Sequence, residues 1–458
     1  MPSHVIDMVM LRNIFGTAEM RSFWSDENRL QKQLDVEAAL ALAEGELGLI
    51  PTDAAKVIAS KAKVEFLDLD EIAEEVLKVK HSLMPTVKGL QKVCGQAGEY
   101  VHYGVTTQDV VDTGMILQLK ESHSVIVNQL QSIVEELSRI ARKHRGTPMA
   151  GRSHGMQGMP TTFGFKIAVI LSEVIRHLDR LREIEEKTFI GVLGGAVGTY
   201  ASFGSLGPEV ERRALKQLGL EAPEICWHSS RDRIAEYIGV LGMISATIGK
   251  MANEFYNLMR TEIDEIEEPF TPGKIGSSTM PHKRNPAALE GIVSLAKPIR
   301  YNVALILEGM IIEHERDAMS WRGEWIALPE TCIYLSAQLA SMHSVLQGLV
   351  VKPANMLRNL NIQGGVLLSE RIMFALAGPL GKQTAHNVVY NLCVQAVDQN
   401  KPFREMLLEN QQVCDALSQD ELETLLDPST YLGEAPMIVD RVLERAEESG
   451  WLKNEKHV

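Results

Sequence analysis

The chain has 458 residues, 45% of them hydrophobic and 23% charged, with a formal net charge of −14, the composition of a globular protein long enough for several cores. An acidic balance with no long basic run excludes nucleic acid and anionic membrane as expected partners, while leaving room for an anionic substrate in a locally basic pocket. The five cysteines, Cys94, Cys226, Cys332, Cys393 and Cys414, are scattered, which suits a cytoplasmic protein and offers no metal-ligand spacing, so neither metal nor cofactor is expected.

The first hundred residues read as short helices broken by loops. Ser25 is placed to cap a helix running to about Leu47, with Leu30, Leu34, Leu40 and Ala43 near helical spacing and Gly48 and Pro51 closing it. The middle of the chain changes character. From Val110 to about Arg145 there is no proline, and Met115, Leu119, Ile126, Leu130, Ile133, Leu137 and Ile140 recur at helical intervals. That predicts a helix of about 35 residues, near 50 Å long. A second helix is predicted from Thr161 to about Lys187. A third runs from Asp232 to about Glu267 on Ile238, Leu241, Ile244, Ile248, Met251 and Phe255. A fourth follows Pro286 and passes Pro298, which should bend or interrupt it, and a fifth spans roughly Pro329 to Leu349. Beyond Gly364 the helices shorten again, with loops expected at Gly378-Pro379, Pro402 and Asp427-Pro428. Alternating charges across the long segments and the absence of a basic-then-apolar start predict neither a membrane span nor a leader.

Five such segments with few strand signals predict an all-α, elongated long-helix bundle. Three domains are expected: an N-terminal helical one over 1–108, the central bundle over 109–362 and a C-terminal helical one over 363–458. The apolar content of the long helices extends around more than one face, so bundles of several subunits should associate.

Three segments, with His81 as a fourth position, carry polar groups that long apolar helices do not need. Gly276-Ser277-Ser278-Thr279-Met280-Pro281-His282-Lys283-Arg284-Asn285-Pro286 places two hydroxyls behind a glycine, then a cation and an amide. Lys283 and Asn285 could hold a carboxylate, with Ser277 facing the carbon which that carboxylate acidifies. The plainer alternative is a Gly/Ser turn before a helix start, with Pro286 near the first helical position. Thr106 and Thr107 precede the first long helix and either bind an anion at its N-terminus or simply cap it. His154 stands after Ser153 among glycines, in Gly151-Arg152-Ser153-His154-Gly155. Gly194-Gly195-Ala196-Val197-Gly198-Thr199 fits neither nucleotide fingerprint and reads as a packing turn.

The Gly276–Pro286 run resembles the signature of the fumarase/aspartase superfamily, in the form typical of adenylosuccinate lyase and 3-carboxy-cis,cis-muconate cycloisomerase. The resemblance extends from about Arg12 to Leu443 and implies a homotetramer with shared active sites. It implies Ser277 as general base, His154 as general acid and Glu290 as the carboxylate that orients the histidine. It further implies Thr106, Thr107, Ser153, Lys283 and Asn285 as binding residues for a dicarboxylate substrate. His81, at its spacing from Tyr103, is similar to a pocket histidine of adenylosuccinate lyases. Trp227-His228-Ser229-Ser230-Arg231-Asp232-Arg233 and Trp321-Arg322-Gly323-Glu324-Trp325 resemble the cycloisomerase group, and Arg231 joins the expected substrate-binding set. Ile14-Phe15, Trp227 and Trp325 stand where adenylosuccinate lyases carry nucleotide-binding residues. The resemblance therefore implies β-elimination of fumarate from an N-, O- or S-substituted succinate, with a leaving group smaller and more apolar than a nucleotide, lying against Trp227, Trp321 and Trp325. The alternatives are the cycloisomerase and a non-catalytic structural member of the superfamily.

Overall fold

The computed structural model describes residues 3–270, 273, 277 and 279–452. Gly276 and Ser278 of the signature run, and Pro272 ahead of it, lie outside the described residues. Five long helices dominate: α1 (Thr107–Lys143), α2 (Phe163–Thr188), α3 (Asp232–Leu258), α4 (Ala287–Glu308) and α5 (Ala318–Gln347). The predicted apolar positions of α1 and α3 are all buried, as a 3.6-residue period facing a core requires. By length and composition α3 could cross a membrane, but 72% of its most apolar window is buried inside the protein. It is a core helix.

Three boundaries differ from expectation. The third helix ends at Leu258, because the chain turns through Asp264 at φ 49° and then forms a short strand pairing Ile266–Glu267 with Val350–Val351. The fifth starts at Ala318, eleven residues before Pro329, which lies inside it. Its N-terminus is set instead by Asp317, whose Oδ1 accepts the amides of Met319 and Ser320. Gly378 and Pro379 belong to the Ser369–Leu380 helix, which ends at Gly381 with φ 81°.

Contacts divide the chain into two compact units. The first comprises Met1–Leu130, His177–Gly249 and Val293–Ala340. In it the Asp26–Glu46 helix, capped by the Ser25 hydroxyl on Asn28 N–H, packs against the Thr52–Lys61 and Gly207–Gln217 helices. The second unit comprises Gln131–Arg176, Lys250–Ile292 and Ser341–Val458. It contains an antiparallel hairpin, β1 (Pro148–Ser153) and β2 (Met156–Thr162). The Pro353–Leu360 helix packs on β1 and the Ala435–Glu448 helix on β2. A separate core of Ile372, Leu376, Leu392, Phe403 and Leu407 joins the C-terminal helices.

Candidate active site

In the first unit, Thr106 and Thr107 open α1. Their hydroxyls are turned to side chains. Thr106 Oγ1 accepts from Arg316 Nη1 at 2.7 Å, and Thr107 Oγ1 lies 3.3 Å from His81 Nε2. The N-terminal amide of Thr106 is bonded instead by Asp109 Oδ2 at 2.9 Å, as in half of a capping box. His81 is oriented from behind, since its Nδ1 accepts from Leu83 N–H and Met84 N–H. A pocket of about 320 Å³ opens here, lined by Lys80, His81, Thr106, Thr107, Arg316, Trp321, Arg322 and Trp325 among others. His81, Thr106 and Thr107, separated in sequence, thus meet at one pocket with two of the three predicted tryptophans.

The third tryptophan does not reach it. Trp227 is fully buried and its indole N–H donates to Gly191 O at 2.9 Å. Arg231 also departs from its expected substrate-binding role. Its guanidinium is fully buried and shared between two carboxylates: Nη1 donates to Asp112 Oδ2 at 2.7 Å and Nε to Glu324 Oε1 at 2.8 Å. Trp321 Nε1 donates to the same Asp112 at 2.7 Å, and Trp321 meets Trp325 edge to face at 4.9 Å. Burial alone would lower the Arg231 pKa, but Asp112 and Glu324 outweigh it and raise it. Arg231 is thus a positioning residue, fixing the tryptophan wall from behind.

A second buried hub lies on Asp109. It accepts from Gly194 N–H, Gly195 N–H and His228 Nε2, the last at 2.7 Å. The glycine turn therefore does pack, held by a carboxylate at the base of α1. Burial pushes His228 down, yet its bonds to Asp109 and Cys226 prevail and carry its pKa up to about 9.

In the second unit, the two residues between β1 and β2 are His154 and Gly155, with φ 53° and 79°. Positive φ at both positions is the signature of a type I′ turn, so His154 stands exposed at a hairpin tip with Ser153 beside it. A left-handed histidine is a strained position of the kind found at functional sites. The hairpin is anchored by Arg152, which makes a two-pronged pair with fully buried Glu265 at 2.6 and 3.0 Å; Asn359 Nδ2 donates to Glu265 as well. Sequence reading passed over Arg152, Arg316, Asp109 and Asp112. For Arg152, Asp109 and Asp112 the signal available was a charged residue close to a motif residue or within an apolar helix; Arg316, in the loop before α5, carried none.

Ser277 Oγ accepts two backbone amides, from Met280 at 3.1 Å and Thr279 at 3.4 Å. Two N–H dipoles on one hydroxyl oxygen favour its charged form. Lys283 and Asn285 follow on the same loop, and Glu290 is exposed in the first turn of α4. Among the described residues no hydrogen bond or ion pair joins Ser277, His154 and Glu290 within one chain.

The family model described as "Lyase" matches residues 13–300, and the model for the adenylosuccinate lyase C-terminus matches residues 365–442. The chain is 56% identical to an N-acetyl-S-(2-succino)cysteine lyase of Dickeya dadantii, covering 99% of this chain and 100% of the relative. An N-acetyl-S-(2-succino)cysteine lyase of Enterococcus italicus is 57% identical over the same shares. Among solved structures, the 3-carboxy-cis,cis-muconate lactonizing enzyme of Pseudomonas putida is 37% identical with a TM-score of 0.91, covering 95% of this chain and 98% of that one. With the long-helix fold and whole-chain identity to these lyases, the chain belongs to the fumarase/aspartase superfamily, as a lyase that releases fumarate by β-elimination from a substituted succinate.

Proposed function

We propose that the enzyme cleaves the carbon–sulfur bond of an S-(2-succino)cysteine derivative, N-acetyl-S-(2-succino)cysteine being the first candidate, to give fumarate and a free thiol. The observation that carries this reading is identity of 56% and 57%, along whole chains, to two lyases of that name. The pocket supports it independently. Trp321 and Trp325 offer an apolar wall suited to a short thioether chain, and Trp325 stands where nucleotide-cleaving relatives are expected to carry an arginine. A phosphate-bearing leaving group would lose that bidentate partner.

In this reading Thr106, Thr107 and His81 hold one succinyl carboxylate, and Lys283 with Asn285 hold the other. Ser277, as its alkoxide, removes the proton from the carbon next to the carboxylate on Lys283. Negative charge moves into that carboxylate, the carbon–carbon double bond forms, and the C–S pair departs with sulfur. The thiolate takes a proton from solvent or from His154, which Glu290 orients. Ser153 lies next to the histidine and completes the set. The exposure of Ser153, His154 and Glu290, with no bond joining Ser277, His154 and Glu290 among the described residues, supports a homotetramer in which different copies complete each site. Light scattering checks the assembly.

The deciding experiment incubates the enzyme with N-acetyl-S-(2-succino)cysteine and follows fumarate by ultraviolet absorbance and thiol by a colorimetric reagent. Equal amounts of both are expected. Absence of fumarate, with a lactone formed from a carboxymuconate instead, would favour the cycloisomerase that the Pseudomonas putida likeness suggests.

A further inference from the structure

Three cations border the pocket of His81, Thr106 and Thr107: Lys80, Arg316 and Arg322. They are not equivalent. Arg316 has one arm engaged, its Nη1 donating to Thr106 Oγ1. Lys80 closes the Leu69–Val79 helix in a left-handed conformation, φ 55°, and offers a point charge on a flexible stem. Arg322 is exposed in the second turn of α5 and, among the described residues, makes no hydrogen bond or ion pair. It lies three positions before Trp325, so the two share one stretch of helix surface. The anion on this rim, Asp317, is occupied by the amides of Glu313, Met319 and Ser320. The aromatic wall beside Arg322 is fixed, because Trp321 is tied to Asp112 and packs edge to face on Trp325.

We infer that Arg322 determines leaving-group specificity: its guanidinium receives the carboxylate of the departing cysteine half, whose acyl chain lies along Trp321 and Trp325. The inference rests on the S-succinocysteine reading above. Such a substrate carries three carboxylates. Two belong to the succinyl skeleton and are assigned to the Thr106–Thr107 pocket end and to Lys283 with Asn285. The third belongs to the leaving group and needs a cation that neither set supplies. Arg322, unlike Arg316, makes no hydrogen bond or ion pair among the described residues, and its planar fork matches a carboxylate in two-pronged fashion. The leaving group's carboxylate does not react, so its capture should act on substrate capture more than on the bond-breaking step.

The test compares two substrates, N-acetyl-S-(2-succino)cysteine and N-acetyl-S-(2-succino)cysteamine, which differ only in the leaving-group carboxylate. In the wild type, kcat/KM should favour the first by roughly 10- to 100-fold, the size of one charge-assisted contact. Arg322→Met, which keeps the apolar stem, should abolish that preference by raising KM for the cysteine substrate and leaving the cysteamine substrate unchanged. Arg322→Lys should restore part of it, and Lys80→Met should leave it intact. A preference that survives Arg322→Met, or that vanishes in Lys80→Met instead, overturns the inference while the thioether reading stands. Fumarate from neither substrate with the wild type would remove the reading itself, and this inference with it.

Discussion

The pocket at the head of α1 and the signature loop carry equally polar residues, yet they are built differently. Around Thr106 the carboxylates are engaged: Asp109 binds amides and His228, and Asp112 binds Arg231 and Trp321, while Arg316 binds Thr106. Trp321 in the pocket wall is held by Asp112 and by its edge-to-face contact with Trp325. Of the groups assigned to proton transfer, His154 stands on an exposed hairpin tip and Ser277 is half-buried, bonded among the described residues only to the amides of Thr279 and Met280. Asp109 and Asp112 at the pocket are committed to internal partners, whereas Ser277 takes, among the described residues, only backbone amides of its own loop.

That contrast can be broken from either side. The largest effect is expected at Ser277→Ala, which removes the oxygen that collects two amides. Turnover should fall by about 10²–10⁴, the usual size of general-base catalysis, with substrate binding little changed because Lys283 and Asn285 remain. Steady-state kinetics with a binding measurement on the inactive variant checks this; near-normal turnover would refute the base assignment. On the preorganised side, Arg231→Met should cost roughly 3–5 kcal/mol of stability, because Asp112 and Glu324 would remain buried and unpaired. Urea denaturation reads this, and an unchanged midpoint would mean that the hub is not structural.

A pH series sharpens the same comparison. His228 has its folded-state pKa raised from 6.5 to about 9. Its contribution is therefore complete below pH 6.5 and disappears as pH rises through about 9, a loss of roughly 3 kcal/mol at most. Glu44, pushed up to about 9 by burial and then by Glu37, acts in the same direction from the ordinary carboxylate range upward. The wild type should lose stability between pH 6.5 and 9, and His228→Gln should lose less over that interval. Identical slopes in the two proteins would refute the His228 assignment.

The long helices were legible because their signal is local: Leu119, Leu130 and Leu137 mark the buried face of α1 without reference to any other segment. The start of α5 was not, because a proline at Pro329 reads as a helix opening, whereas the Asp317 cap that sets the start looks like any charged loop residue. The β1–β2 hairpin was missed for a related reason. Its strands contain Gly151 and Gly158 and do not alternate, so only the His154-Gly155 turn carried information. Family likeness named Ser277, His154, Thr106 and His81 as residue types in order. It could not say where a guanidinium points, and so Arg231 was taken for a binding residue when Asp112 and Glu324 enclose it. The pairing of Thr106 with Arg316, 210 positions apart, exists only in the folded chain.

The smallest expected effect separates the acid from the base. A thiol ionises near pH 8.5, so a thiolate can leave carbon without prior protonation, whereas an amine must depart protonated because the amide anion is far too basic. His154→Asn should therefore slow an S-succinyl substrate by less than about tenfold and an N-succinyl analogue of the same shape by about 10² or more. Glu290→Gln should show the same pattern more weakly, since it disturbs the histidine's orientation and leaves proton abstraction intact. Ser277→Ala should slow both substrates alike, because the same C–H bond is broken in each. The measurement is kcat for the three variants on a series of succinyl compounds graded by leaving-group pKa. If His154→Asn depressed every member equally, the histidine would act on something common to all of them, such as substrate placement. Its exposed place at the hairpin tip, held by Arg152 and Glu265, would then be a binding feature of the site.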